Sequence, residues 1–258
     1  MPLPLAATVS AVVAWVAWRA GTLTLSGAVA AWTVGVLVLY GTGWSGGAVL
    51  AAFFVSSNVV SRLEPASSPT PLDPKGNRRD LWQVYANGGV AAGCAIVARG
   101  DVRLAVWLAT ASLAAAAADT WATAVGIGSG QKPRLLGVGA EVPCGTGGGM
   151  TPTGSAAAAV GALLVASTGA LAARIPLLLP AATLIGFAGM VVDSAIGAAL
   201  QGRFHCPVCN QPSEWRVHHC GSPTVRRGGL VWLNNDGVNF VATAFAAGAA
   251  LLSWRLLD

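Results

Sequence analysis

Between Arg103 and Lys132 the chain reads LAVWLATASLAAAAADTWATAVGIGSGQ, 28 residues carrying one formal charge, Asp119, inside Ala118-Asp119-Thr120-Trp121-Ala122-Thr123. A run of ~20 apolar residues is enough to cross the hydrocarbon core of a bilayer. A carboxylate inside such a span is costly unless something binds it, so it marks a candidate functional group. The arrangement recurs between Arg174 and Arg203, another 28 residues whose one charge is Asp193, in Val192-Asp193-Ser194. A single intramembrane Asp can be satisfied by Ser or Thr on a neighbouring helix. Two, placed alike, point to a shared ligand.

Hydrophobic residues make up 54% of the 258 and charged residues 10%, too little polar cover for a soluble domain. The expected fold is an all-α, polytopic membrane helical bundle of about eight transmembrane helices, one integral membrane domain over 1–258. The spans fall near 4–19, 22–40, 43–60, 81–98, 103–126, 153–172, 176–200 and 234–254. Abundant Ala and 33 Gly suit helices that pack closely through small side chains. No basic segment precedes the first apolar run, so the start reads as a retained helix rather than a cleaved signal peptide. Residues 1–60 supply three accessory helices, and 61–258 carry the chemistry.

The net charge of +5 could suggest nucleic acid, but the 15 Lys and Arg sit almost wholly in short loops between apolar runs. They set topology instead, since cytoplasmic loops collect the excess of Lys and Arg. Alternating sides gives eleven on one face and only Arg99, Arg103, Arg174 and Arg255 on the other. A cell-membrane protein with both termini outside and three long cytoplasmic loops is expected. Entering from outside, Asp119 lies 16 residues past Arg103, or ~24 Å at the helical rise, and Asp193 ~28 Å past Arg174. Both acids then face the cytoplasm.

The first of these loops, 61–80, ends in Lys75-Gly76-Asn77-Arg78-Arg79-Asp80, and the next helix opens with Gln83, Asn87, Gly88 and Gly89. Basic residues beside a helix start suit phosphate, because charge and free backbone N–H groups point the same way; bare Lys and Arg are equally explained by topology or an anionic-lipid patch. The second loop, Val142-Pro143-Cys144-Gly145-Thr146-Gly147-Gly148-Gly149-Met150-Thr151-Pro152, lets several N–H groups converge on an anion just before a helix. It lacks the Lys-Ser or Lys-Thr of a P-loop, and a tight turn is the alternative. In the third, 201–229, Cys206-Pro207-Val208-Cys209 and His218-His219-Cys220 have the spacing of a closed structural zinc site, with one of the two His as fourth ligand. The last span opens with Asn234-Asn235-Asp236-Gly237-Val238-Asn239, where Asp236 is either an ordinary cap or a member of the acidic face.

Asp119, Asp193, Asn87 and Asp236 thus meet basic and glycine-rich loops at one membrane face. Paired carboxylates there can hold Mg²⁺ together with substrate phosphates, and phosphoryl transfer needs mainly positioning and charge neutralisation. The acceptor a membrane site reaches is a lipid phosphate. Arg78-Arg79, Gln83-Val84, Ala86-Asn87-Gly88-Gly89, Ala118 to Thr123, Pro143 with Gly145-Thr146, Asp193-Ser194 and Asn234-Asn235-Asp236 together resemble the polytopic membrane family that includes plant phytyl-phosphate kinase. The resemblance covers about 60–258 and implies a Mg²⁺-dependent kinase moving phosphate from CTP or ATP, CTP favoured, to a prenyl monophosphate such as phytyl or geranylgeranyl phosphate. It implies Asp119, Asp193, Asn87 and Asp236 as catalytic residues. Lys75, Arg78, Arg79, Gln83, Gly88, Thr123, Gly145, Thr146, Gly148, Gly149 and Asn235 would bind the phosphates. Two positions depart from the family pattern: Ala124 replaces an acid, and Gly147 an Asn. The rival expectations are a CTP-dependent cytidylyltransferase acting on a lipid phosphate, which would release pyrophosphate, and a proton-coupled transporter.

Overall fold

The computed structural model describes residues 1–62 and 78–256. Among the described residues seven helices form a bundle: α1 (Leu3–Arg19), α2 (Leu25–Ser61), α3 (Leu81–Val97), α4 (Val102–Gly128), α5 (Pro152–Ala173), α6 (Leu178–Ala199) and α7 (Asn235–Arg255). Five of them, α2, α4, α5, α6 and α7, are long and apolar enough to cross a membrane, while α1 and α3 have 17 residues each. Two expected spans, 22–40 and 43–60, fall, apart from residues 22–24, within the 37 residues of α2.

The chain reverses inside α2. Gly43 has φ 65° and ψ −152°, a backbone state that costs a side-chain-bearing residue dearly. Beyond it Leu50 packs with Val34 and Val38, and Phe54 with Leu23 and Ala28. A straight helix would separate residues 28 and 54 by ~39 Å, so the segment after Gly43 runs back beside the segment before it.

Helix α4 is the centre, touching α2, α3, α5, α6 and α7. Its run of alanines has no bulk to hold neighbours away, and the neighbours meet it with glycines. A Cβ added at Gly186 or Gly189 of α6 would lie 2.8 Å and 2.6 Å from the Cβ atoms of Ala114 and Ala115. Gly154, Gly161 and Gly169 of α5 face Ala122, Trp121 and Thr110 in the same way. Helices this close gain dispersion contacts that lipid tails cannot replace. Leu113, Val49, Phe53, Val165 and Met190 fill what remains of the core.

All the polar connections gather at one end of the bundle. The opposite end holds only short turns: Arg99 lies 4.2 Å over the ring of Tyr40, Ser45 Oγ donates to the Ala172 carbonyl at 2.9 Å, and Trp107 Nε1 donates to the Ala250 carbonyl at 3.0 Å. The polar end carries a two-stranded pair, β1 (Arg134–Leu135) with β2 (Gly149–Met150), inside the glycine-rich connection. It also carries a three-stranded antiparallel ribbon of order β4-β3-β5, made of β3 (Arg203–Cys206), β4 (Gln211–Ser213) and β5 (Val225–Gly228). The ribbon is rooted between α6 and α7: Leu230 N–H donates to the Leu200 carbonyl at 2.8 Å and Gly202 N–H to that of Leu233 at 2.9 Å.

Candidate functional site

Helices α2, α3, α5 and α7 begin at this end, and the last three bring their side-chain caps together. Asp80 and Gln83 form a reciprocal capping box on α3, Thr151 Oγ1 accepts from Gly154 N–H at 3.0 Å on α5, and Asn234 Oδ1 accepts from Gly237 N–H at 3.0 Å on α7. Pro152 occupies the first turn of α5, where its missing N–H costs nothing. The cap of α7 is therefore Asn234, and Asp236 lies in the first turn. Helices α4 and α6 end here and bring Asp119 and Asp193 with them. A cavity of about 290 Å³ lies among the ends of α3, α4, α5, α6 and α7, lined among others by Arg79, Gln83, Asn87, Asp119, Thr123, Asp193, Asn235 and Asp236.

The two acids meet inside it. Asp193 is buried and Asp119 partly so, and their carboxyl groups are within hydrogen-bonding reach of each other. With the Asn239 amide turned so that its nitrogen faces the acids, that nitrogen donates to Asp193 Oδ2 at 2.8 Å and Asp119 Oδ2 at 3.2 Å, and its oxygen accepts from Asn235 Nδ2 at 3.2 Å. Asn239 thus ties α7 to α4 and α6 through one side chain. Asn87 donates its Nδ2 to the Gln83 carbonyl at 2.8 Å, so its Oδ1 is the atom left to act in the cavity.

The basic residues divide. Arg79 lines the cavity, its guanidinium 5.9 Å from the Phe53 ring, and burial pulls its pKa down to about 10, so it stays charged at neutral pH. Arg78 instead donates Nη2 and Nε to the Leu23 carbonyl at 2.8 and 3.2 Å, which clamps the α1–α2 turn to the start of α3. Lys75 lies outside the described residues.

The glycine-rich loop forms one wall through Gly145, Thr146, Gly147, Gly148 and Gly149. Gly148 has φ 80°, and a Cβ there would collide with the Ala198 nitrogen and the Ser194 carbonyl. The loop therefore lies directly on the last turns of α6, one turn beyond Asp193. Gly147 faces the buried side chain of Gln201, so the Asn of the family pattern would have to displace that amide. Ala124 is buried and does not line the cavity.

The family described as integral membrane protein DUF92 matches residues 8–247, a range that reaches from α1 into α7. The chain belongs to the DUF92 family of integral membrane proteins. Protein PGR of Arabidopsis thaliana is 28% identical over 92% of this chain and 91% of its own length. Two further relatives are uncharacterised membrane proteins: one of Methanocaldococcus jannaschii, 32% identical over 65% of this chain and 70% of its own, and one of Synechocystis, 27% identical over 86% and 78%. No solved structure matches. The resemblance to a polytopic membrane family drawn from the motifs is thus upheld at the level of the DUF92 family.

In this DUF92 protein the expected phosphate ligand Gly88 does not line the cavity; it packs on α2, where a Cβ would lie 3.0 Å from Val34 Cγ1. Cys206, Cys209, His218 and Cys220 bring one ligand atom each within 4.8 Å of one another, a group that could hold a metal ion. His219 is outside that group and lies with its ring 3.8 Å from that of His218. Hydrogen bonds from His218 and Ser222 pull the Cys220 thiol down to about 5, while contact with Cys220 pushes Cys209 up to about 11. Among the lining residues to which the sequence reasoning gave no role are Asn239, Glu214 and Trp215. Asn239 had a signal, a polar residue one helical turn beyond Asn235 on the same face. Glu214 and Trp215 had none, because only the ribbon's folding carries them to the cavity.

Proposed function

We propose that the protein is a membrane-embedded phosphotransferase that moves the terminal phosphoryl group of a nucleoside triphosphate, CTP favoured, to a prenyl monophosphate. The observation that supports this most is one cavity that receives the N-termini of α3, α5 and α7, Arg79 and the paired carboxylates of Asp119 and Asp193. Helix N-termini and a guanidinium favour phosphate oxygens. The carboxylates suit Mg²⁺, which binds through one or two of them together with phosphates and neutralises the charge that builds up on transfer. In the reaction, an oxygen of the lipid phosphate forms a new bond to the γ-phosphorus, the bond from that phosphorus to the β–γ bridging oxygen breaks, and the nucleoside diphosphate leaves with the electron pair. Asp119, Asp193, Asn87 and Asp236 would hold the metal, and Arg79, with Gln83, Thr123, Asn235 and the Gly145–Gly149 loop, the phosphates.

Orientation belongs to the same proposal. The reversal at Gly43 lets α2 count as two crossings, and α1 and α3 with the remaining helices bring the number to the expected eight. The polar end, which collects all described Lys and Arg except Arg99, Arg103, Arg174 and Arg255, then faces the cytoplasm. The test is purified protein with labelled CTP or ATP and a panel of prenyl phosphates. A labelled prenyl diphosphate, formed only with Mg²⁺, is expected. A nucleotide-linked lipid with released pyrophosphate would identify a cytidylyltransferase, and solute movement across liposomes without nucleotide use a transporter.

A further inference from the structure

The ribbon has almost no core of its own. Between 203 and 228 the buried residues are Phe204, Cys206, Ser213 and His218, and two of these four are candidate metal ligands. Units this small hold their shape through metals or cross-links rather than apolar burial, and all five cysteines are free thiols. The ligand geometry suits a soft tetrahedral cation. Cys206 and Cys220 sulfurs lie 3.7 Å apart, the edge expected of a tetrahedron with metal–sulfur bonds of ~2.3 Å. His218 Nδ1 lies 3.2 Å from Cys220 Sγ, and Cys209 N–H points at Cys206 Sγ from 3.5 Å, as the amides of a two-Cys knuckle do when the sulfur is a thiolate.

The ligands also bracket the residues that reach the cavity. Cys206 and Cys209 precede Glu214 and Trp215, while His218 and Cys220 follow them. Within this segment Trp215 N–H donates to Ser213 Oγ at 3.1 Å, Thr224 Oγ1 to the Trp215 carbonyl at 2.6 Å and Thr224 N–H to the Arg216 carbonyl at 2.9 Å, bonds that shape the loop. Cys206, Cys209, His218 and Cys220 themselves do not line the cavity. We propose that Cys206, Cys209, His218 and Cys220 hold one zinc-class cation, and that its role is to seat Glu214 and Trp215 in the cavity wall. The ion acts at a distance: it closes the loop 210–217, the root between α6 and α7 fixes the ribbon's base, and the two together set where the wall stands. The proposal goes beyond phosphotransfer and does not depend on it.

The test uses the full-length protein in detergent and no nucleotide. One zinc per chain is expected, lost in Cys209→Ser and Cys220→Ser. Chelation of the unaltered protein should speed amide exchange across 210–217 by about tenfold or more, and this arm stands even if the Cys variants fail to fold. It should also speed alkylation of Cys144, a thiol that lines the cavity and lies outside the cluster, followed by peptide mapping. Trp215→Ala should keep its zinc and show the faster Cys144 alkylation without chelation. Purified protein without bound zinc would overturn the proposal, and so would chelation that leaves both the 210–217 exchange and Cys144 unchanged. A preparation that passes these measurements and transfers no phosphate would remove the kinase alone.

Discussion

The side-chain nitrogen of Asn239 stands 2.8 Å from Asp193 Oδ2 and close enough to Asp119 to hold both acids with one amide. Removing that donor leaves the two carboxylates facing each other with their shared partner gone. Asn239→Leu keeps the approximate volume, so the protein should insert and fold, yet phosphotransfer should fall ~10- to 100-fold with a raised Mg²⁺ requirement, as for other groups that orient metal ligands. Activity measured against Mg²⁺ concentration checks it. An unchanged Mg²⁺ curve would reduce Asn239 to a packing residue.

Asp119→Asn and Asp193→Asn keep shape and most hydrogen bonding while losing charge. Each should cut turnover by more than ~10²-fold, the scale of losing one preorganised electrostatic group, with little change in thermal stability. Turnover and melting temperature measured together separate this from misfolding. Near-normal turnover in both variants would end the phosphotransfer proposal.

Arg78 and Arg79 are neighbours with opposite expected phenotypes. Arg79→Ala removes a charge-assisted contact of ~1.5–3 kcal/mol, so nucleotide or lipid phosphate should bind about tenfold or more weakly while stability holds. Arg78→Ala deletes the clamp on the Leu23 carbonyl and should lower stability by ~1–3 kcal/mol with affinity nearly unchanged. Titration and thermal unfolding of the two variants give the comparison. The reverse pattern would exchange their roles.

Gly148→Ala adds a methyl group where the loop touches α6, at φ 80°; Gly137, with φ 83° and open space around its Cβ position, is the control. Gly137→Ala should carry only the backbone strain, ~1–2 kcal/mol. Gly148→Ala should be worse by a clear margin and lose activity as well, because the displaced turn carries Asp193. Equal melting temperatures for the two variants would contradict the contact.

Helix bounds were legible in the sequence to within about two residues for α1, α3, α4, α5, α6 and α7, because each apolar run ends at charge, Pro or a cap. The reversal in α2 is less so: Gly41, Gly43, Gly46 and Gly47 sit close together, and nothing but tertiary packing shows which of them carries the turn. The two acids stood out because a lone charge in an apolar run has few explanations. Arg78 and Arg79 did not separate, since adjacent guanidinium groups look alike until the α1–α2 turn supplies a carbonyl for one of them. Glu214 and Trp215 stayed silent for a related reason, their position being set by a ribbon of little secondary-structure propensity.

The enclosure of α4 has a bearing on how the chain is made. Its mean hydropathy of 1.3 is the lowest of the five long apolar helices, and 78% of its apolar window is covered by protein. While the ribosome is still synthesising α5, α6 and α7, α4 has neither their glycine faces nor a partner for Asp119, whose carboxylate adds up to ~2.5–3.5 kcal/mol to insertion. The nascent helix is therefore expected to leave the translocon as a marginal span that its later neighbours capture. On that expectation the acid at the centre of the site gains its amide partner, Asn239, only when the last helix has arrived.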